Sequence, residues 1–351
     1  MNRKLIYAAL LGLLTTCVLC GCSSTEKEQD SLVVLNYGKY IEPSVIEAFE
    51  KIYNIDVKYE EYESPEEMYT KYKAGSINYD VICTSDYMVE KLIQEDELLE
   101  IDSTKLSNLS NIDSRFMELS QTFDPDNKYS IPYFYGTVGI LYNTSMVTEP
   151  VNSWDILWDE QYRGSIIMEN SVRDAFLVPL ERLGYSLNTT TPNELDEALL
   201  QLKEQKDLVY AYLVDETADA MIANDAALAV VYSGEAATAM EYNDQLAYVV
   251  PTEGSNIWID SWFVPKTCQH YDAALLWMDY LCSRDAAWEN FNYVWYATPN
   301  TTVLDALSDE DKKDETIFPT DKTLDNCVVY QTYDDELNHY LNHLWKDLKS
   351  Y

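Results

Sequence analysis

Ser31-Leu32-Val33-Val34-Leu35-Asn36-Tyr37 opens the stretch that decides the fold. Four consecutive apolar residues in so short a run predict a strand buried on both faces, as in a parallel sheet. In the next segment, Pro43–Tyr53, residues Val45, Ile46, Phe49, Ile52 and Tyr53 share one helical face, and Pro43 stands near the start, where its missing N–H is no loss. Residues 55–59 alternate as a second strand, Pro65–Ala74 reads as a helix, 79–83 as a third strand and 87–94 as another helix. A βαβαβα series with right-handed crossovers predicts an open, largely parallel sheet covered by helices on both faces.

Working outward, residues 132–143 form a long apolar segment that predicts a strand crossing out of this first unit. A second α/β series follows, with strands at 164–168, 227–232 and 247–251 and helices at 171–183 and 194–205. Residues 257–264 predict a return strand, and helices are expected at Tyr271–Leu281, 285–293 and 333–348. The expected fold is therefore α/β with two lobes: 31–137 as the first part of lobe 1, 138–256 as lobe 2, and 257–351 returning to lobe 1 with C-terminal helices packing across the lobes. In such a fold the ligand cleft lies between the lobes, where the carboxyl ends of the strands meet.

At the other end, residues 1–22 have the form of an export signal. Arg3 and Lys4 precede an apolar run that ends at Leu19-Cys20-Gly21-Cys22, so Cys22 is the expected lipid-attachment site at a lipobox. The run is shorter than the roughly twenty residues a membrane-spanning helix needs. Residues 23–30 are small, polar and charged and predict a flexible tether. The protein is expected outside the cytoplasm, held to the cell membrane by its lipid.

The 61 acidic residues outnumber 24 basic ones, giving a net charge of −37, which argues against nucleic acid and favours cationic partners. With 29 Tyr and 8 Trp the chain is too aromatic for acidic disorder. Outside the signal, Cys83, Cys268, Cys282 and Cys327 match no metal spacing and are expected to be small buried hydrophobes. His339 and His343 stand four apart but lack a third ligand, so no metal and no cofactor is expected.

Several predicted strand ends carry rings, hydroxyls or carboxylates: 36–40, 84–87, 232–235 and 258–260. Rings can stack on methylenes and attract ammonium groups, while carboxylates fix charged ends. The motifs Leu35-Asn36-Tyr37-Gly38-Lys39-Tyr40, Tyr62-Glu63-Ser64, Tyr79-Asp80-Val81, Phe123-Asp124-Pro125, Ser153-Trp154, Leu183-Gly184-Tyr185-Ser186, Trp258-Ile259-Asp260-Ser261 and Ala297-Thr298-Pro299-Asn300 occur in this order. Together they resemble the spermidine/putrescine-binding proteins of polyamine ABC transporters over essentially the whole chain beyond the signal.

That resemblance implies a ring box of Tyr37, Tyr40, Tyr232 and Trp258, with Tyr37 and Tyr232 standing where tryptophan is usual. It implies hydroxyls from Ser85, Tyr87 and Tyr296, and carboxylates from Asp174, Asp260 and Glu235, the last matching a putrescine-binding branch. Ser171 departs from an aspartate of the spermidine branch, and Gln331 aligns only loosely with a family glutamine. Asp86, Glu169 and Tyr135 are expected to be ordinary structure. The implied function is capture of putrescine or spermidine by a monomer that hands it to a membrane permease, with no catalysis. Another cationic solute such as thiamine or Fe(III), or a polyamine-sensing role, are the alternatives; an enzyme acting on sugars is disfavoured, because no nucleophile motif, metal set or glycine-rich phosphate loop is present.

Overall fold

The computed structural model describes residues 31–214 and 216–351; the expected export signal, Cys22 and the tether lie outside the described residues. β1 (Ser31–Tyr37) pairs in parallel with β2 (Asp56–Tyr62) on one side and β3 (Val81–Thr84) on the other. Between them run α1 (Pro43–Tyr53) and α2 (Pro65–Ala74), and α3 (Asp86–Gln94) follows β3. Local chemistry sets these boundaries. Pro43 opens α1 and Asn54 closes it in the left-handed conformation, while the Ser64 hydroxyl accepts from Glu67 N–H to cap α2 and Gly75 ends it at φ 63°. β2 runs past the predicted residue 59 to Tyr62 because it is an edge strand, where Lys58, Glu60 and Glu61 can face water.

After α4 (Ser114–Ser120), the 14-residue β4 (Ser130–Asn143) leaves this unit. The second unit contains β5 (Ile166–Glu169), α5 (Val172–Leu183), α6 (Pro192–Gln205), β6 (Val209–Leu213), α7 (Glu216–Ile222), β7 (Leu228–Tyr232), α8 (Ser233–Tyr242) and β8 (Leu246–Val249). β9 (Ser255–Phe263) then returns, followed by α9 (Tyr271–Leu281), α10 (Arg284–Val294), α11 (Thr301–Ala306), α12 (Asp321–Leu324), the two-residue β10 (Cys327–Val328) and α13 (Asp335–Ser350).

The strands join in the order β2-β1-β3-β9-β4-β7-β5-β6, with β8 on β4 and β10 on β9. β4 carries the continuity. Residues Ser130 to Thr137 pair antiparallel with β9, with a register shift between Pro132 and Phe134; Val138 to Tyr142 pair with β7, and Ile140 to Asn143 with β8. One strand thus belongs to two lobes, which explains why it is an almost unbroken buried run.

Each lobe has its own core. Phe49, Trp262 and Trp277 anchor one side of the first sheet, and Tyr62, Phe123 and Phe291 the other. In the second lobe Trp154, Phe176 and Leu202 form the main core. α13 joins this second core through Leu337, Leu341, Leu344 and Leu348, tied by the Lys203–Asp347 ion pair at 2.7 Å. α9 instead packs in the first lobe. No cysteine is disulfide-bonded among the described residues; Cys83, Cys282 and Cys327 are buried. No described helix is long and apolar enough to cross a membrane.

Candidate functional site

The parallel strands deliver their last residues to one region. Tyr37 ends β1, Thr84 ends β3 just before Ser85, Glu169 ends β5 and Tyr232 ends β7. Ligand groups collect at such carboxyl ends because the loops and helix N-termini that follow open there.

Asp260 is the centre of the first-lobe half. It lies on β9 opposite Phe134, is 7% exposed, and accepts a hydrogen bond from the Tyr40 hydroxyl at 2.6 Å. Burial pushes its carboxyl up to about 7, against the opposing pull of the Tyr40 and Tyr37 hydroxyls. Burial and then the Asp260 charge raise both phenols well above their ordinary value, so they remain protonated donors. The rings form a continuous edge-to-face set: Tyr37 to Tyr40 at 5.3 Å, Tyr40 to Tyr296 at 6.0 Å and Tyr296 to Trp258 at 5.1 Å between centroids. The Trp258 indole N–H is buried without a hydrogen-bond partner.

The second-lobe half is built around Asp174, in the first turn of α5 and 4% exposed. The Tyr232 hydroxyl donates to its Oδ2 at 2.7 Å and the Tyr330 hydroxyl to its Oδ1 at 3.0 Å. Neither Asp260 nor Asp174 forms an ion pair with a lysine, arginine or histidine among the described residues. A buried carboxylate without a cation is costly, and a bound cation offsets that cost.

Two glycines bring the halves together. A Cβ on Gly136, which pairs with Trp258 across the strands, would lie 2.3 Å from the Trp258 ring and 2.8 Å from the Ser233 hydroxyl. A Cβ on Gly234 would lie 1.7 Å from the Tyr296 ring. The turn from β7 into α8 therefore sits directly on the first-lobe rings, and only glycine permits that approach.

The other expected residues are placed differently. Ser85 is the N-terminal flanking residue of α3 and is buried. Tyr87 turns its hydroxyl to the Glu66 carboxylate at 3.1 Å. Glu235 is half-buried in the first turn of α8, beside Gly234. Ser171 flanks α5 at its N-terminus, and Gln331 is exposed, engaged through its backbone with Asn188 and Arg173.

Of the three residues expected to be structural, Tyr135 packs its ring 4.0 Å from Phe116, and Glu169 is buried at the end of β5. Asp86 is buried and accepts from Ile259 N–H at 3.1 Å and Tyr87 N–H at 2.6 Å, tying the helix that carries Tyr87 to the strand that carries Asp260. Burial pushes its carboxyl up to about 8. Sequence reasoning missed Tyr330, Gly136 and Gly234; only the two glycines left a signal, Gly136 inside the apolar run of β4 and Gly234 just past the end of β7. His339 and His343 lie on the outer face of α13, and no group of three or more potential metal-ligating residues occurs among the described residues.

Comparison with known proteins gives consistent likenesses. Residues 44–320 match the profile of bacterial extracellular solute-binding proteins. The spermidine/putrescine-binding periplasmic protein of Escherichia coli is 35% identical over 330 residues, covering 93% of this chain and 92% of that one. The corresponding protein of Salmonella typhimurium is 33% identical, covering 96% and 98%. The crystal structure of the spermidine/putrescine ABC transporter substrate-binding protein PotD from Streptococcus pneumoniae, in complex with calcium and HEPES, superposes with a TM-score of 0.86 at 38% identity over 92% of this chain and 99% of that chain. The Tp0655 (TpPotD) lipoprotein of Treponema pallidum shares the fold, with a TM-score of 0.80 at 22% identity over 91% and 99%.

Proposed function

The chain belongs to the bacterial extracellular solute-binding proteins, and from that premise we propose that it captures putrescine or spermidine outside the cytoplasm and delivers it to the permease of an ABC transporter. The observation that carries this reading is the pair of buried carboxylates, Asp260 and Asp174, each held by tyrosine hydroxyls and neither neutralised by a protein cation. A dication with an ammonium at each end of an apolar chain matches two such acids joined by stacked rings.

In this reading Asp260 grips one ammonium and Asp174 another, while Tyr37, Tyr40, Tyr232 and Trp258 line the methylene chain. Ser85, Tyr87, Glu235 and Tyr296 complete the surround. Tyr87 would have to share its hydroxyl with Glu66, and Glu235 would set the preference between polyamines of different length. The protein does no chemistry on its ligand. We place lobe 1 at 31–137 and 257–351 and lobe 2 at 138–256, with α13 reaching back onto lobe 2; an open form admits the ligand and hinge closure excludes water. Periplasmic binding proteins are themselves a standard example of such closure. Lipid on Cys22 would hold the monomer at the membrane, a point that mass spectrometry of the purified protein tests directly.

The function is tested by thermal unfolding with a panel of cations. Putrescine or spermidine at a hundred times its Kd should stabilise the protein by about 2.7 kcal/mol. Stabilisation by thiamine or Fe(III) with none by either polyamine would overturn the assignment.

A further inference from the structure

Tyr330 was not expected at the site, yet it supplies one of the two hydroxyls on Asp174. Its surroundings form a built device. The Arg173 guanidinium stands 4.3 Å from the Tyr330 ring and 3.9 Å from the Tyr333 ring. The same guanidinium donates to Gln331 O at 3.1 Å, Leu187 O at 3.2 Å and Asn188 Oδ1 at 3.1 Å. Asn188 in turn accepts from Gln331 N–H at 2.9 Å and donates to Val329 O at 2.9 Å. Tyr330 and Tyr333 thus pack in the second-lobe core while Val329 lies in the first-lobe core, and the Arg173 and Asn188 bonds fix the Tyr330 hydroxyl on Asp174.

The next residue points the other way. Thr332 N–H donates to Glu90 Oε2 at 2.5 Å, and its hydroxyl donates to Tyr87 O at 2.8 Å. Both partners lie on α3, the first-lobe helix that begins just after Ser85 and contains Tyr87. One five-residue segment therefore touches the second-lobe acid with one side chain and the first-lobe ligand helix with another.

We propose that Tyr330 and Thr332 are positioning residues for ligand capture, Tyr330 orienting the Asp174 carboxylate and Thr332 fastening α3 to the second lobe when the lobes are closed. The proposal rests on the polyamine reading for its ligand, and on geometry alone for the fastening. With both Asp174 oxygens already accepting from fixed hydroxyls, each retains one lone-pair direction, so the carboxylate meets an ammonium without first losing rotational freedom. The two Thr332 bonds can form only after the lobes meet, so they retard ligand escape and leave entry unaffected.

The test follows tryptophan fluorescence in stopped flow, with putrescine and spermidine as probes. Thr332→Val should raise the dissociation rate about fivefold or more and leave the association rate within about twofold of wild type. Thr332→Ser, which keeps the hydroxyl, should restore the slow rate, and the ligand-free unfolding midpoint should not change. Tyr330→Phe should weaken equilibrium binding about tenfold at an unchanged midpoint. Wild-type rates in Thr332→Val together with wild-type affinity in Tyr330→Phe overturn the proposal, as does a lowered midpoint with no change in binding. Absence of any polyamine response in the wild type sinks the polyamine reading instead. The fastening is then decided without ligand by cross-linking: joining Thr332→Cys to Glu90→Cys should hold the lobes closed and lower the radius of gyration of the ligand-free protein in small-angle scattering, and an unchanged radius overturns it.

Discussion

Asp260 concentrates the account at the residue scale. The Tyr40 hydroxyl donates to it at 2.6 Å, and burial raises its carboxyl to about 7. Two predictions follow from that one group. Asp260→Asn removes a charge-assisted contact and should weaken polyamine binding by about 2–4 kcal/mol. Because it also removes a charge that is costly to bury, the ligand-free variant should be no less stable than wild type at pH 8.5; a lower unfolding midpoint there would contradict the assigned role. The second prediction concerns pH. A polyamine requires the ionised carboxylate, so affinity should rise with pH up to about 7 and then level off, by at most about tenfold per pH unit below that point, with protons released on binding. The sign is opposite for the ligand-free fold. An acid whose folded value is raised from 3.8 to about 7 costs stability progressively as pH rises through that window. Titration calorimetry in buffers of different ionisation enthalpy measures the proton release, and zero release at pH 6 would contradict the role of Asp260.

The same residue shows what sequence makes legible. Asp260 and Trp258 stood out as a carboxylate and a ring at a predicted strand end, and their roles came from the resemblance to polyamine-binding proteins. Tyr330 was invisible because its bond to Asp174 joins residues 156 apart, and no local pattern marks it.

At the scale of elements, the decisive features are a strand shared by two lobes and two glycines at their contact. β4 and β9 were legible as long apolar runs bounded by polar turns. α8 was not, since its first turn follows β7 with no intervening loop and its small residues carry no strong periodicity. β10 is only two residues long and exists because β9 offers it an edge. Gly234→Ala should reduce polyamine affinity more than tenfold, since its Cβ would overlap the Tyr296 ring by a margin no rotamer absorbs. On the proposed division that contact joins the two lobes, so the ligand-free unfolding midpoint should hold. Gly136→Ala acts inside the β4–β9 pair and displaces Trp258, so midpoint and affinity should both fall. Calorimetric titration beside thermal unfolding separates the two cases, and identical behaviour of the two variants would contradict the division into lobes drawn here.

For the whole molecule, the fold class followed from the order of strands and helices, while the packing of α13 onto the second lobe did not, because its apolar stripe fits any complementary face. The 61 acidic residues against 24 basic ones give the chain a net charge of −37 that attracts a cation, so polyamine association should slow as salt is raised. In the proposed function the two buried carboxylates, Asp260 and Asp174, receive a polyamine. Isothermal titration of the protein with putrescine and spermidine, with thiamine as control, tests it most directly. Saturable one-to-one binding of a polyamine is expected with a Kd of about 1 μM or tighter, roughly −8 kcal/mol, and none of thiamine; no binding of either polyamine would overturn the polyamine assignment.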